Sequence, residues 1–428
     1  MNATRPAFRP VSHPVPPPAL LLPGLILLAS ISGLGVGVAR VVTSFYAVEL
    51  CATEFELGLI AGAQSIGIVL VSLPMGILVQ RYGSRLLYVL GGTLGGIVFC
   101  LTPLVPQTQF LILCTVLGSF VMPARFVALN AVFLSQLETV GVKRAGWFRA
   151  THMLGFLLVA PALAVFLHEH FDYFGAFIGI GLIFFFPVLV SPLAIARHTP
   201  APGSPPRLNG REIFAQLRLL FTEPELRRTS GFEFLSQAVT AYFGFFAVVI
   251  AIRAYQADEA NAAWLLTAEG AFFVAALFLA GGLIARLGRT RAYRVGFLLL
   301  GGALIALSQP VPYPVFWLAS CVLGVGLAVI YIVNFVIFGN LGKRIGMGRV
   351  SAITALVGPT GGFLGSILGG LFGSLWELQT IFLPLGIVCL LCLWRVERGE
   401  ASTARAAAPP GVIGHAEIEE VSCFDPRP

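Results

Sequence analysis

Long apolar segments alternate with short polar connectors along almost the whole chain. Most of the segments are about 20 to 30 residues long, and a helix needs about 20 apolar residues to cross the hydrocarbon core of a membrane. Transmembrane β-strands are much shorter, at about 9 to 11 residues. The pattern therefore predicts an all-α, polytopic membrane protein. Its twelve transmembrane helices are predicted at residues 19–49, 55–79, 86–104, 108–136, 146–168, 173–196, 230–252, 261–285, 293–309, 314–340, 350–373 and 378–395.

Lysine and arginine occur mainly in alternate connectors. Five connectors each contain at least two lysine or arginine residues: residues 80–85, the connectors after the fourth and sixth segments, and residues 286–291 and 341–349. The connectors between them carry mostly glutamate and aspartate, with Arg253 to oppose these charges. Basic residues of short connectors remain on the cytoplasmic side, so both termini are predicted to be cytoplasmic. The default location is the plasma (inner) membrane, and an internal organelle membrane derived from it would give the same pattern.

The long central connector divides the chain into two halves of six helices each, at residues 19–196 and 230–395. The connector itself, residues 197–229, is predicted to be a cytoplasmic linker that ends in an amphipathic helix on the membrane surface. Residues 1–18 are rich in proline and residues 396–428 are polar. Both terminal segments are predicted to be disordered and cytoplasmic.

The composition narrows the possible partners. The chain contains 57% hydrophobic and 11% charged residues, and its net charge is +7. In a soluble protein this charge would suggest nucleic acid, but here contact with lipid headgroups explains the basic residues. The expected partners are the lipid bilayer and a small-molecule or ion substrate, with no nucleic acid. The sequence has no Walker motif and no catalytic constellation, so we expect neither an enzyme nor a bound cofactor.

A basic turn between two apolar segments occurs once in each half. The first copy, GILVQRYGSR, starts at residue 76, and the second, GGLIARLGR, starts 205 residues later. Glycine allows the chain to reverse sharply, and the arginines hold each turn at the headgroups. The matching residues are Gly76 with Gly281, Arg81 with Arg286 and Gly83 with Gly288, while Arg85 and Arg289 add a basic residue to each turn.

With twelve spans and two copies of this turn, the chain resembles a transporter of the major facilitator superfamily. In that family the turn reads Gly, three residues, Asp, Arg, any residue, Gly, then Arg or Lys. Gln80 and Ala285 stand at the Asp position, so both copies lack a carboxylate that the family uses in its cytoplasmic gate. The resemblance implies secondary transport by alternating access, around a central cavity lined by spans one, four, seven and ten.

The eleventh span contains a Gly-Pro pair that resembles an element of family exporters. Pro359 is predicted to bend this helix. Gly365, Gly369 and Gly373 follow it at intervals of four residues and predict a small-residue face for close helix packing.

Two arginines lie well inside predicted spans, at Arg40 in span one and Arg125 in span four. A charged side chain at the centre of a membrane costs about 2.5 to 3.5 kcal/mol on insertion scales. A guanidinium group binds carboxylate or phosphate through forked donors and stays charged. We therefore predict that Arg40 and Arg125 bind an anionic group of the substrate. The alternative is a structural ion pair or a carbonyl bond within one half.

Glu233 and Glu269 are the carboxylates inside the spans, and they are the candidates for proton coupling. Two structural alternatives stay open. Glu233 could pair with Arg227 or Arg228 at headgroup level, and Glu269 could pair with Arg40. By the family resemblance, further polar residues line the same cavity and bind substrate, namely Gln237 in span seven and Tyr331 and Asn334 in span ten.

The connector HEHFD between spans five and six combines imidazole and carboxylate groups, which bind divalent metals. His168, His170 and Asp172 are the predicted ligands. In the alternative, Asp172 caps the sixth span.

The main functional hypothesis is a secondary active transporter that moves a small, anionic or amphipathic solute by alternating access, with proton coupling, as a monomeric transport unit. The first alternative is a carrier of metal or other cations, iron included, that uses the intramembrane glutamates and the HEHFD connector. The second alternative is a membrane sensor or scaffold that does not transport.

Overall fold

The computed structural model describes residues 18–135, 151–195 and 218–407, which form long helices and no strand. Within these ranges the long helices number twelve, as predicted, and we label them in chain order. They are α1 (Pro18–Glu49), α2 (Glu54–Tyr82), α3 (Ser84–Leu101), α4 (Thr108–Ser135), α5 (151–171), α6 (173–194), α7 (Pro224–Tyr255), α8 (Glu259–Leu287), α9 (Arg289–Leu307), α10 (Tyr313–Ile345), α11 (Met347–Leu375) and α12 (Phe382–Ala407). A π-helical turn, Gly155–Val159, lies within α5.

Among the described residues, eleven stretches are long and apolar enough to cross a membrane, and one of them, Thr151–Pro192, contains two spans. Its 42 residues would form a helix of about 63 Å, twice the thickness of a hydrocarbon core. Asp172, with φ 53° and ψ −174°, interrupts the helix and separates α5 from α6. The predicted all-α fold with twelve spans is therefore confirmed.

Some predicted boundaries differ from the structure or lie beyond it. Helix α12 continues to Ala407, past the boundary predicted at residue 395, into the segment predicted to be disordered. A short helical segment at 218–222 precedes α7. The predicted cytoplasmic linker up to residue 217, the start of span five, and the terminal segments 1–17 and 408–428 lie outside the described residues.

The two halves repeat the same backbone at a spacing of 205 residues. Gly83 and Gly288, at the two basic turns, have φ values of 89° and 78°, which L-residues with a side chain rarely adopt. Cys51 and Gln256 are also 205 residues apart, and each has φ 53° at the end of α1 or α7. The predicted role of glycine in the repeated turns is confirmed.

Helix packing within the halves keeps the same spacing. A Cβ built on Gly96 would meet the ring of Phe185, and a Cβ on Gly301 would meet Leu390. Gly301 lies 205 residues after Gly96, and Leu390 lies 205 residues after Phe185. Gly91 likewise faces Arg125, and Gly296 faces Ile330. The halves are therefore pseudo-symmetric in their side-chain contacts as well as in their helix order.

The halves meet through α2 against α11 and α5 against α8. A Cβ on Gly362 would lie 3.3 Å from Ser65 Oγ, and the equivalent Cβ on Gly270 would lie 2.7 Å from Leu157 Cβ. Adding 205 to Ser65 gives Gly270, and adding 205 to Leu157 gives Gly362. Each contact is therefore the symmetry equivalent of the other, as a pseudo-twofold axis between the halves requires. The predicted small-residue face of α11 also packs closely, because Gly365 and Gly369 face Ala238 and Tyr242 of α7.

Candidate functional site

A cavity of about 1230 Å³ lies between the halves and is lined mainly by residues of α1, α2, α4, α5, α7, α8, α10 and α11, with Phe99 of α3 and Phe177 of α6. We call the end of the bundle with Gly83 and Gly288 the basic end, and the opposite end, with Cys51 and Gln256, the acidic end. Between the halves the cavity extends toward the basic end, where Gly76 lines it, and within the N-terminal half its lining also reaches Thr102 and Leu111 near the acidic end. Of the predicted binding and coupling residues, Arg40, Arg125, Glu233, Gln237, Glu269 and Tyr331 line this cavity, and so does Pro359.

Arg40 of α1 crosses from one half to the other. Its Nη2 donates hydrogen bonds to the carbonyl oxygens of Thr240 and Ala241 in α7, at 2.8 and 2.9 Å. Its guanidinium passes over Gly244, where a Cβ would collide with Nη2, and its Cζ lies 5.8 Å from the ring centroid of Phe156. A carbonyl bond within one half was the alternative to anion binding. The structure instead places these carbonyl bonds across the two halves.

Glu269 of α8 faces the same part of the cavity. Its side chain is buried, and it lies close enough to Arg40 for an electrostatic interaction across the halves. Gly324 of α10 permits this position, because a Cβ there would lie 2.5 Å from the carbonyl oxygen of Glu269. A cation of the N-terminal half and a carboxylate of the C-terminal half therefore share the inner part of the cavity.

Arg125 of α4 is 3% exposed. Its guanidinium packs against aromatic rings, whereas a buried guanidinium is usually paired with a carboxylate. Its Cζ lies 4.2 Å from the ring centroid of Phe184 and 5.7 Å from that of Tyr88. Nη2 donates to Ser32 Oγ at 3.2 Å, while Nε and Nη1 are buried without a hydrogen-bond partner. Cation–π contacts stabilise the charge only in part. Two donors of Arg125 thus remain for a further acceptor.

Glu233 of α7 is held by side-chain amides. Its Oε1 accepts a hydrogen bond from Gln237 at 3.0 Å, and its Oε2 accepts one from Asn334 at 2.8 Å. Tyr293 donates to Oδ1 of Asn334 at 2.6 Å, which fixes the direction of that amide. Asn334 was predicted to bind substrate, but it is 1% exposed and lies behind Glu233, outside the cavity lining. Asn334 therefore positions the carboxylate.

Neither ion pair considered as an alternative forms at a distance of 4.0 Å or less. Arg40 and Glu269 are farther apart than this, and Glu233 pairs with neither Arg227 nor Arg228 in the described residues. Arg40, Arg125 and Glu233 therefore bond to neutral groups, and Glu269 interacts with Arg40 at a longer distance.

The remaining predicted residues lie at the edges of the site. The ring of Tyr331 is 6.1 Å from that of Phe273. Pro359 lies inside α11, which continues through it without interruption.

The two basic turns lie at the basic end, near the mouth of the cavity. Arg81 is exposed, with Cζ 5.3 Å from the ring centroid of Tyr82, and Arg85 is half-buried. Arg289 Nη1 lies 3.9 Å from Glu225. Gly281 and Arg286 lie in the last turns of α8.

The predicted metal ligands at the acidic end do not meet. His168 Nε2 lies 2.7 Å from a carboxylate oxygen of Glu259, and His170 Nδ1 lies 3.0 Å from the carbonyl oxygen of Phe166. Asp172 forms the backbone break between α5 and α6. Within the described ranges, no group of three His, Cys, Asp or Glu residues could hold a metal ion.

Two contacts that were not predicted from the sequence fasten the halves at the acidic end. Glu54 begins α2 and binds Arg253 of α7 at 3.0 Å, and Arg253 also donates to the carbonyl oxygen of Ala52. Glu259 begins α8 and binds His168 of the other half. Glu54 and Glu259 are 205 residues apart, so the repeat that revealed the basic turns could also have identified them. We call these contacts the two fastenings.

Comparison with known proteins identifies the family. The family model described as Major Facilitator Superfamily matches residues 25–258 and 233–420. No curated protein matches the sequence at a significant level.

Solved structures with a similar fold are transporters of low sequence identity. A mutant of the nucleoside transporter NupG has a TM-score of 0.74 at 16% identity, covering 88% of this chain and 99% of its own. A bacterial homologue of the human lysosomal transporter Spinster, in an inward-facing and unoccupied conformation, has a TM-score of 0.68 at 13% identity, covering 91% and 97%. A POT family transporter in complex with a thioalcohol-conjugated peptide has a TM-score of 0.71 at 11% identity, covering 89% and 96%.

The match of the family model covers both halves, and the neighbours share the twelve-helix, two-half fold. The cavity lies at the interface of the halves, where secondary transporters of this architecture bind their substrates. The chain belongs to the Major Facilitator Superfamily, a family of multi-pass membrane transporters.

Proposed function

We propose that this protein is a secondary active transporter that carries a small solute with a negatively charged group by alternating access. Arg40 carries this proposal. It stands in the cavity wall between the halves, and Nη2 alone makes its two hydrogen bonds to α7. In the described residues the Nε and Nη1 donors remain, and each can donate a charge-assisted hydrogen bond to an anionic group.

The positions of the fastenings and the cavity support alternating access. The fastenings join the halves at the acidic end, while the cavity extends toward the basic end. The distribution of lysine and arginine favours a cytoplasmic basic end, with both termini on that side. We therefore propose that the present state is open to the cytoplasm and that transport requires the fastenings to break.

Glu269 is our candidate for proton coupling. It is buried, it faces Arg40 and it forms no ion pair within 4.0 Å in the described residues. A buried carboxylate without an ion pair can bind a proton, and it can release this proton when a cationic group lies beside it. Glu233 is less suited to this role because two amides already donate to it.

Tracer flux into liposomes that contain the purified protein tests the proposal. A panel of labelled organic anions, zwitterions and cations is measured with and without a pH gradient. Arg40→Ala should reduce uptake of the carboxylate-bearing substrate by roughly 10- to 100-fold, as expected for loss of charge-assisted hydrogen bonds. Arg227→Ala, which removes an exposed arginine outside the cavity, is the matched control.

The alternatives make different predictions in the same assay. A cation carrier would lose activity with Glu269→Gln and keep it with Arg40→Ala, and a sensor or scaffold would show no flux for any compound. Retention of full anion uptake by Arg40→Ala would contradict the proposal.

A further inference from the structure

The charges of the cavity wall are divided between the halves by sign. Its arginines, Arg40 and Arg125, belong to α1 and α4, and its carboxylates, Glu233 and Glu269, belong to α7 and α8. Among the described lining residues, the N-terminal half contributes no carboxylate and the C-terminal half contributes no lysine or arginine. A ligand in this cavity therefore meets a cationic wall on one side and an anionic wall on the other.

The opposite charges lie at matching depths along the helices. Arg40 lies nine residues before the end of α1, and Glu269 lies ten residues after the start of α8, both counted from the acidic end. Arg125 bonds to Ser32, which lies eight residues from Arg40 along α1, and Glu233 lies seven residues along α7 from Thr240, the partner of Arg40, both in the direction of the basic end. At 1.5 Å per residue these are nearly equal depths. The cavity thus has an inner and an outer tier, each with one cation and one carboxylate.

The protein leaves these charges without direct counter-ions. None of the four is in an ion pair within 4.0 Å in the described residues. Glu233 has amide donors, Arg40 has backbone carbonyls, and Arg125 keeps two donors that are buried and unpartnered. Charges removed from water are costly unless they are paired. An occupant with complementary charges would remove this cost at both walls.

A solute with only a negative group fits one wall and not the other. It would be attracted by the arginines and repelled by Glu269 or Glu233 in the same tier, and in a partly buried site this repulsion is only weakly screened. A solute with only a positive group meets the reverse problem. A solute that carries both groups meets an opposite charge on each side.

We infer that the substrate is a zwitterion whose carboxylate lies against the arginine wall and whose ammonium group lies against the glutamate wall. This inference rests on the proposed function and names its substrate class. A bound zwitterion would connect the two halves through its own charges. Its binding would therefore favour the state in which the walls approach each other.

Matched compounds that differ by one charge test the inference. Liposomes with the full-length protein are given labelled leucine, 4-methylpentanoate, which lacks the ammonium group, or 3-methylbutylamine, which lacks the carboxylate. A second set uses the dipeptide alanyl-leucine and its des-amino analogue, because the cavity is large. In at least one set, uptake of the zwitterion should exceed that of each single-charge analogue by at least tenfold.

Variants of the glutamate wall should change this selectivity in a defined direction. Glu233→Gln and Glu269→Gln keep the side-chain shape and remove the repulsion, so the preference for zwitterion over carboxylate should fall at least fivefold. Glu169→Gln, an exposed site at the acidic end, is the control and should keep the preference. Size-exclusion profiles and melting temperatures of the purified variants check folding.

Two results would overturn the inference. If wild-type protein takes up the carboxylate-only compounds as fast as the zwitterions, the inference is wrong while the proposed function stands. If it takes up neither class above the level of empty liposomes but transports another anion of the wider panel, the inference is wrong and the proposed function stands; if it transports no compound of the panel, both are wrong.

Discussion

The two halves of this transporter share a backbone and differ in charge. Gly91 and Gly296 are equivalent positions, and the residues that face them, Arg125 and Ile330, are equivalent as well. The N-terminal half thus places a buried guanidinium where the C-terminal half places an aliphatic side chain. Tyr88 and Tyr293 also correspond, but Tyr88 lies beside Arg125 and Tyr293 bonds to Asn334. The comparison shows that packing preserves the repeat while the cavity wall departs from it.

The largest expected effect comes from giving the C-terminal half the charge of the N-terminal half. Ile330 is fully buried, so Ile330→Arg would place a cation there without the rings and hydroxyl that surround Arg125. An uncompensated buried charge costs several kcal/mol. We expect a melting temperature at least about 5 °C lower, or no folded protein, by fluorescence-monitored unfolding in detergent. Ile330→Leu is the control, and a stable Ile330→Arg variant would contradict the comparison.

The reverse exchange should separate function from stability. Arg125→Ile removes a buried cation that lacks a counter-ion within the described residues, and such a replacement is often neutral or stabilising. We expect an unchanged or higher melting temperature together with substrate uptake that is roughly tenfold lower. A large loss of stability with normal uptake per folded molecule would show that Arg125 has a structural role instead.

The two fastenings offer a subtler comparison, because equivalent glutamates bind different side chains. Arg253 bonds to both Glu54 and the Ala52 carbonyl. In the described residues the His168 ring bonds to Glu259 alone, and Glu259 also accepts a hydrogen bond from Tyr173. Partly exposed ion pairs contribute up to about 1 kcal/mol each, so the shift toward an outward-open state should be about fivefold or less. Arg253→Gln should shift the population more than His168→Asn.

Labelling of a cavity cysteine from the acidic side measures this shift. Cys114 lines the cavity and is buried, so it is a suitable reporter after replacement of the other cysteines by serine. Equal labelling rates in both variants and in the parent protein would show that the fastenings do not control access.

The smallest effect is expected at Gly244. A methyl group there would occupy the position of the Arg40 guanidinium, which can move because it ends a flexible side chain. Gly244→Ala should weaken substrate binding a few-fold, since Arg40 would leave its hydrogen bonds to α7, with little change in melting temperature. Gly302→Ala, where a Cβ meets open space, is the matched control. Identical apparent affinities for the two variants would argue against a precise placement of Arg40.

The sequence was sufficient for the fold, because membrane-spanning helices have a strong and simple signal. Apolar runs of the right length predicted the spans, and two equally spaced turns predicted the repeat. Side-chain roles were harder to predict. Asn334 lies in a helix that lines the cavity, but its side chain bonds to Glu233 and Tyr293 outside the cavity lining. The presence of a polar residue in a lining helix does not reveal which way the residue faces.

The HEHFD connector shows the second limit of sequence reasoning. Proximity in sequence suggested a metal site, whereas the partner of His168 is Glu259, from the other half. Contacts of this kind depend on how the halves approach, which no local pattern contains. The sequence identified each charged residue of the cavity. That arginines and glutamates face each other at matching depths could be recognised only in the assembled helix bundle.

The fastenings lie on opposite sides of the pseudo-twofold axis, and their arrangement has a mechanical consequence. A single fastening would permit the halves to rotate about it, whereas two separated fastenings resist this rotation. Loss of the Glu54–Arg253 pair would leave the His168–Glu259 pair as a pivot. The acidic end would then open first on the side of the lost pair. The two halves would then tilt asymmetrically as the acidic end opens. The fastening that breaks last would set the direction of the tilt.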